Sequence, residues 1–120
     1  MIYERSKELK VNIEVIAEYD MILAKAKYSK EINGIAPAIN NYGYINIKDA
    51  KYPLIKNPVP LDFKIGEDFR TLVITGPNAG GKTVVLKTIG LLTLAVQSGF
   101  HIGASHNSEL SIFDLSLIHI

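Results

Sequence analysis

No cysteine occurs among the 120 residues, which excludes disulfides, thiolate metal sites and cysteine nucleophiles together. Histidine is scarce, and His101, His106 and His119 do not fall at metal-ligand spacing, so no structural metal is expected. Neither sign of charge dominates: 13 Lys and Arg stand against 12 Asp and Glu, a net charge of +1, and the whole-chain field points to neither a nucleic acid nor a membrane. The opening MIYERSKELK is charged where a secretory signal needs an apolar core. No run reaches the roughly 18 to 20 apolar residues that span a bilayer, so the simplest compartment is the cytoplasm. What is present is a 48% hydrophobic composition, enough apolar material for the core of about one small domain.

Proline and glycine are absent from Tyr3 to Ile32, and Leu9, Ile13, Ile16, Tyr19, Leu23 and Ala26 recur at spacings of three and four. That pattern predicts a long amphipathic helix ended by Asn33-Gly34. Its length, about 45 Å for roughly 30 residues, exceeds what a small domain needs, so its far end is expected to lie against something outside this chain. Two short β-type runs, Ile35 to Ile39 and Tyr44 to Ile47, flank the turn-rich Asn40-Asn41-Tyr42-Gly43 and predict a hairpin. Pro53, Pro58 and Pro60 punctuate an irregular segment, and a second hairpin is predicted from VPLDFKI and TLVIT joined through Gly66-Glu67-Asp68. Leu72, Val73 and Ile74 are consecutive apolar residues, the pattern of a strand covered on both faces. KTVVLKTIGLLTLAVQSG predicts a helix stopped by Gly99, apolar nearly all round and so expected between layers. SELSIFDL predicts one more strand. The fold class is therefore α/β, with a helical unit over residues 1–34 and an α/β unit over 35–120.

Between the predicted strand and the second helix stands TGPNAGGKT, which places Gly76, Gly81, Lys82 and Thr83 at the fixed positions of the phosphate-loop pattern. The chemistry follows from the residue types. Gly80 and Gly81 impose no Cβ, so main-chain N–H groups from about Asn78 to Thr83 can turn toward one oxyanion, helped by the partial positive charge of the helix start. Lys82 supplies a point charge between the β- and γ-phosphates, and the Thr83 hydroxyl is short enough to reach Mg²⁺. The loop reads phosphates and leaves the base undecided.

The longer run LVITGPNAGGKTVVLKTIGLLTLAVQSGFHIGA resembles the ATPase domain of the MutS family of DNA-associated ATPases, and most of all its second bacterial subfamily, MutS-two. YDMILAKAKYSK and YINIKDAKYPLI resemble that family's end-of-lever helix and the start of its ATPase domain. The resemblance implies the first half of a P-loop NTPase domain of the ABC type. It further implies that Gly76, Pro77, Asn78, Ala79, Gly80, Gly81, Lys82 and Thr83 bind the phosphates of ATP, with Thr83 helping to hold Mg²⁺. Asn57 to Leu61 resembles the stretch beside the adenine, although Lys51-Tyr52-Pro53 replaces the usual Arg-His-Pro and Leu61 a common Asn. Full-length relatives form dimers that clamp DNA and sandwich ATP, carry a nuclease-like C-terminal domain, and are linked to recombination control and ribosome rescue.

Hydrolysis calls for an acidic pair at a neighbouring strand end. Downstream, Asp114 alone stands in such a place, and it reads as an Asp closing a strand more than as a metal site. The catalytic acids and the family's signature segment are expected to be absent, so the chain should bind nucleotide without turning it over. No DNA binding is expected of it alone. Residues 115–120, LSLIHI, depart from the family and read as a non-native tail. His101 and His106 read as surface residues. Two rival readings are a nucleotide-gated interaction module docking through the long helix, and the ATPase of another ABC-superfamily protein; Val84-Val85 after Thr83 speaks against the latter.

Overall fold

The computed structural model describes residues 2–77 and 80–114. Its elements run α1 (Ser6–Ile32), β1 (Ala38–Asn40), β2 (Ile45–Ala50), β3 (Leu61–Ile65), α2 (Lys82–Gln97) and β4 (Glu109–Ser111). The class is mixed α/β, with one four-stranded sheet of order β1-β4-β2-β3.

Helix α1 ends as its sequence dictates. Asn33 takes the left-handed conformation at φ 50° and ψ 48°, the N–H of Gly34 reaches the Ser29 carbonyl at 2.7 Å, and that of Asn33 the Lys30 carbonyl at 3.4 Å. This is the paired closure that satisfies a helix's last carbonyls. Gly34 is required there, because a Cβ would stand 2.9 Å from His101 Cβ. The apolar stripe finds no cover among the described residues: Ile13 and Ile16 are each 66% exposed. No helix among the described residues is long and apolar enough to cross a membrane.

The sheet corrects both predicted hairpins. β1 and β2 do not pair; β4 lies between them, parallel to β1 and antiparallel to β2. The Asn40 to Tyr44 turn receives β4 through side chains. Asn40 Nδ2 donates to the Tyr44 carbonyl at 2.8 Å and to Glu109 Oε1 at 3.0 Å, while Gly43 N–H donates to Ser111 Oγ at 3.0 Å. The Tyr42 phenol adds a hydrogen bond to Glu109 Oε1 at 3.2 Å, which raises its pKa above the ordinary 10.0. The second expected hairpin is also replaced. Its turn forms, with Gly66 N–H on the Phe69 carbonyl at 2.9 Å, but β3 spends its pairing on β2, with Ile45 opposite Ile65 and Ile47 opposite Phe63.

Residues 71–75 are not a strand, and Val73 is 77% exposed. The apolar run suits a buried strand, yet no described segment lies beside it to complete its backbone hydrogen bonds, and a strand exists only by pairing.

Ile47, Ala50 and Leu110 are fully buried and, with Ile35, Ile45, Leu92, Val96 and Ile102, make the core between the sheet and α2. Thr88 and Thr93 on the buried face of α2 return their hydroxyls to the carbonyls of Val84 and Ile89, at 2.6 and 2.7 Å, so no polar atom is stranded there. The expectation of a helix enclosed between layers is corrected. Val84, Leu86 and Leu94 on the other side of α2 are exposed, because among the described residues only one layer covers it.

Gly66, at φ 101°, marks a close crossing of two chain segments, since a Cβ there would collide with the Gly43 carbonyl oxygen and approach Tyr44 Cα within 2.8 Å. Gly66→Ala is expected to lower the unfolding free energy by about 2 kcal/mol, read as a reduced urea midpoint with an unchanged slope.

Candidate functional site

The helix expected after the glycine loop is present. α2 starts at Lys82, with Gly81 as its N-cap at φ 83°, and Val85 N–H closes the first turn on the Gly81 carbonyl at 3.1 Å. Gly76 sits at φ 146°, and Gly80 N–H returns to the Pro77 carbonyl at 2.9 Å, tightening the loop just ahead of the helix. Asn78 and Ala79 lie outside the described residues. Among the described residues no side chain caps the N-terminus of α2, and no acid occupies its first turn, so the partial positive charge of that end meets no counter-charge from them.

The Lys82 side chain turns back over the loop: its Cδ would lie 3.9 Å from a Cβ placed on Gly76. Among the described residues nothing lies within 4 Å of the corresponding position on Gly81. Lys82 is half-buried and Thr83 exposed. The loop thus has room over Gly81, the Lys82 stem near Gly76 and the exposed Thr83 beside them, whereas at Gly80 a Cβ would stand 3.1 Å from the Pro77 carbonyl oxygen. An anion with several oxygens and a hard divalent cation both suit that set of donors.

Other predicted positions fall elsewhere. Asp114 is exposed beside the C-terminal end of α2, where Gln97 Nε2 donates to the Phe113 carbonyl at 3.0 Å and Gln97 Oε1 accepts from Phe113 N–H at 3.3 Å. A 16-residue helix spans about 24 Å, so Asp114 and Thr83 are at opposite ends of it. Among the described residues no group of three or more His, Asp or Glu converges as a metal site. The segment resembling the adenine side is turn-rich, with Asn57 at φ 55° and Val59 89% exposed. Asp62, just after it, accepts the Asp49 N–H at 2.8 Å, holding the irregularity of β2 between Ile47 and Ala50.

A cavity of about 720 Å³ lies between the β2–β3 ladder and the second half of α2. Its walls are apolar apart from a few groups such as Arg70, Gln97 and Asp114, and among the described residues none from 76 to 83 lines it.

The sequence reading missed a joint at the far end of α2. Lys25 Nζ donates to the Ser98 carbonyl at 2.8 Å, Tyr28 meets Phe100 edge to face at 5.8 Å, and Ser29 Oγ and His101 Nδ1 are hydrogen-bonded at 2.7 Å. His101, read as a surface residue, is exposed and engaged here. The available signal was the spacing of Lys25, Tyr28, Ser29 and Ile32, which share one side of α1.

No protein-family model matches the chain. Curated relatives do. Endonuclease MutS2 of Halothermothrix orenii is 50% identical over 114 residues, which are 94% of this chain and 14% of that protein. Endonuclease MutS2 of Halalkalibacterium halodurans is 52% identical over 112 residues, 92% of this chain and 14% of the relative. The chain matches a segment of MutS2 proteins. A third relative, the Endonuclease MutS2 of Caldanaerobacter subterraneus, is 48% identical over 123 residues and 16% of its length is matched. The chain therefore spans about one seventh of the MutS2 proteins it resembles, and that matched seventh includes the glycine loop and both helices.

Proposed function

We propose that this chain is the nucleotide-gripping portion of a MutS2-type, DNA-linked ATPase, and that residues 76–83 hold the triphosphate of ATP. The observation that supports the reading best is the head of α2: Gly81 as a left-handed N-cap, with Lys82 folded back over Gly76. In this reading the N–H groups of the loop and first helical turn donate to phosphate oxygens, and the helix dipole adds to their pull. Lys82 neutralises charge between the β- and γ-phosphates. The Thr83 hydroxyl is a ligand for Mg²⁺, which when bound would offset phosphate charge. The irregular residues 57–61 supply the side facing the adenine.

The domain around this loop is read as the first half of a P-loop NTPase fold. Residues 71–75 then form a strand only when further strands of the parent protein lie beside them, and those strands also cover the open side of α2. The catalytic acids belong to the same absent part. The parent protein is read as a homodimeric ATP hydrolase acting on DNA or on collided ribosomes, with a nuclease activity as its relatives' names state.

The test uses the 120-residue chain. A titration with Mg-ATP should give saturable binding, while phosphate release stays far below ~1 s⁻¹, the low edge of ordinary enzyme turnover. Absence of binding defeats the phosphate-loop reading, and turnover near that rate defeats the claim that the acids lie elsewhere. DNA affinity should show no steep fall with salt, since such a fall marks phosphate contacts by basic residues.

A further inference from the structure

We propose that Lys25 and a bound triphosphate act as the two caps of helix α2, so that docking of α1 and occupancy of the phosphate loop strengthen one another. The proposal rests on the nucleotide reading above. Its starting point is how poorly α2 sustains itself. Seven of its 16 residues are β-branched (Thr83, Val84, Val85, Thr88, Ile89, Thr93 and Val96) and Gly90 lies at its middle, a composition with weak intrinsic helix preference. Among the described residues it has no side-chain cap at its N-terminus, and it carries no acid in its first turn and no base in its last, so its dipole is uncompensated by its own side chains.

Both remedies come from outside the helix. At the C-terminal end α1 supplies the missing cation: Lys25 Nζ bonds the Ser98 carbonyl at 2.8 Å and lies 5.0 Å from the centre of the Phe100 ring. Gly99, at φ 80°, leaves room for the approach, since a Cβ there would stand 3.1 Å from Nζ. At the N-terminal end the triphosphate of the nucleotide reading would supply the counter-charge to the N–H groups of the first turn. Each partner binds best when α2 is wound to its ends, and two ligands that favour one state of a shared element raise each other's affinity by the same factor. Tyr28 on Phe100 and Ser29 on His101 fix α1 where Lys25 can serve.

The decisive experiment titrates Mg-ATP into the 120-residue chain and into Lys25→Met, which keeps an apolar stem on Phe100 while removing the charge. Affinity should fall about two- to five-fold, the span expected for a charge at a helix end, and Lys25→Arg should restore it. In the unaltered chain Mg-ATP should also slow amide hydrogen exchange over residues 94–101, a readout that needs no variant. Equal affinity in a Lys25→Met protein of undiminished helix content overturns the proposal. So does binding that leaves exchange over 94–101 unchanged, which decides the matter if the variant does not fold. Failure of the unaltered chain to bind Mg-ATP refutes the nucleotide reading itself and removes the coupling with it.

Discussion

Lys82→Ala is expected to weaken Mg-ATP binding by about 10- to 100-fold, the range set by losing a hydrogen bond to a charged group. The residue makes no described ion pair within the chain, and its stem lies over Gly76, where its removal opens space without burying a charge. Stability should therefore change little, and the loss should appear in a binding isotherm with the urea midpoint held. Lys82→Arg is a poor substitute, since a planar guanidinium is bulkier than the compact ammonium the loop accommodates. An alanine variant that binds Mg-ATP as tightly as the parent chain would remove the basis for reading residues 76–83 as a phosphate cradle.

Leu110→Ala should be the most damaging single truncation to the fold, lowering the unfolding free energy by about 3 kcal/mol. Leu110 is fully buried on the three-residue strand β4, which is paired with β1 on one side and β2 on the other. A cavity there loosens the strand on which the rest of the sheet is assembled. Denaturant unfolding followed by far-ultraviolet circular dichroism measures it. A loss below about 1 kcal/mol, the size of a surface change, would show that β4 does not organise the sheet.

Helices were legible because their determinants are local. The gap in proline and glycine up to Ile32, the left-handed Asn33 and the Gly99 stop all act within a few residues of where they stand. The start of α2 at Lys82, just after the glycine pair, was legible for the same reason. Strand partners were not. Ile35 to Ile39 and Tyr44 to Ile47 have the composition of a hairpin, but the choice of β4 as their common neighbour depends on Asn40 and Ser111 meeting across a separation of 71 residues. Leu72 to Ile74 shows the converse: propensity without a neighbour yields no strand. The Lys25–Ser98 contact spans 73 residues, and no periodicity within α1 announces which carbonyl its lysine will find.

Helix α1 has a mechanical consequence. Among the described residues its side chains are fastened only near its C-terminal turns, to the segment that follows α2, and the molecule measures 68 × 32 × 27 Å. Such a body is a cantilever: a load at its free tip is multiplied by the length of the arm into torque at the fulcrum. A small displacement at the Tyr28–Phe100 contact would in turn swing the tip through a wide arc.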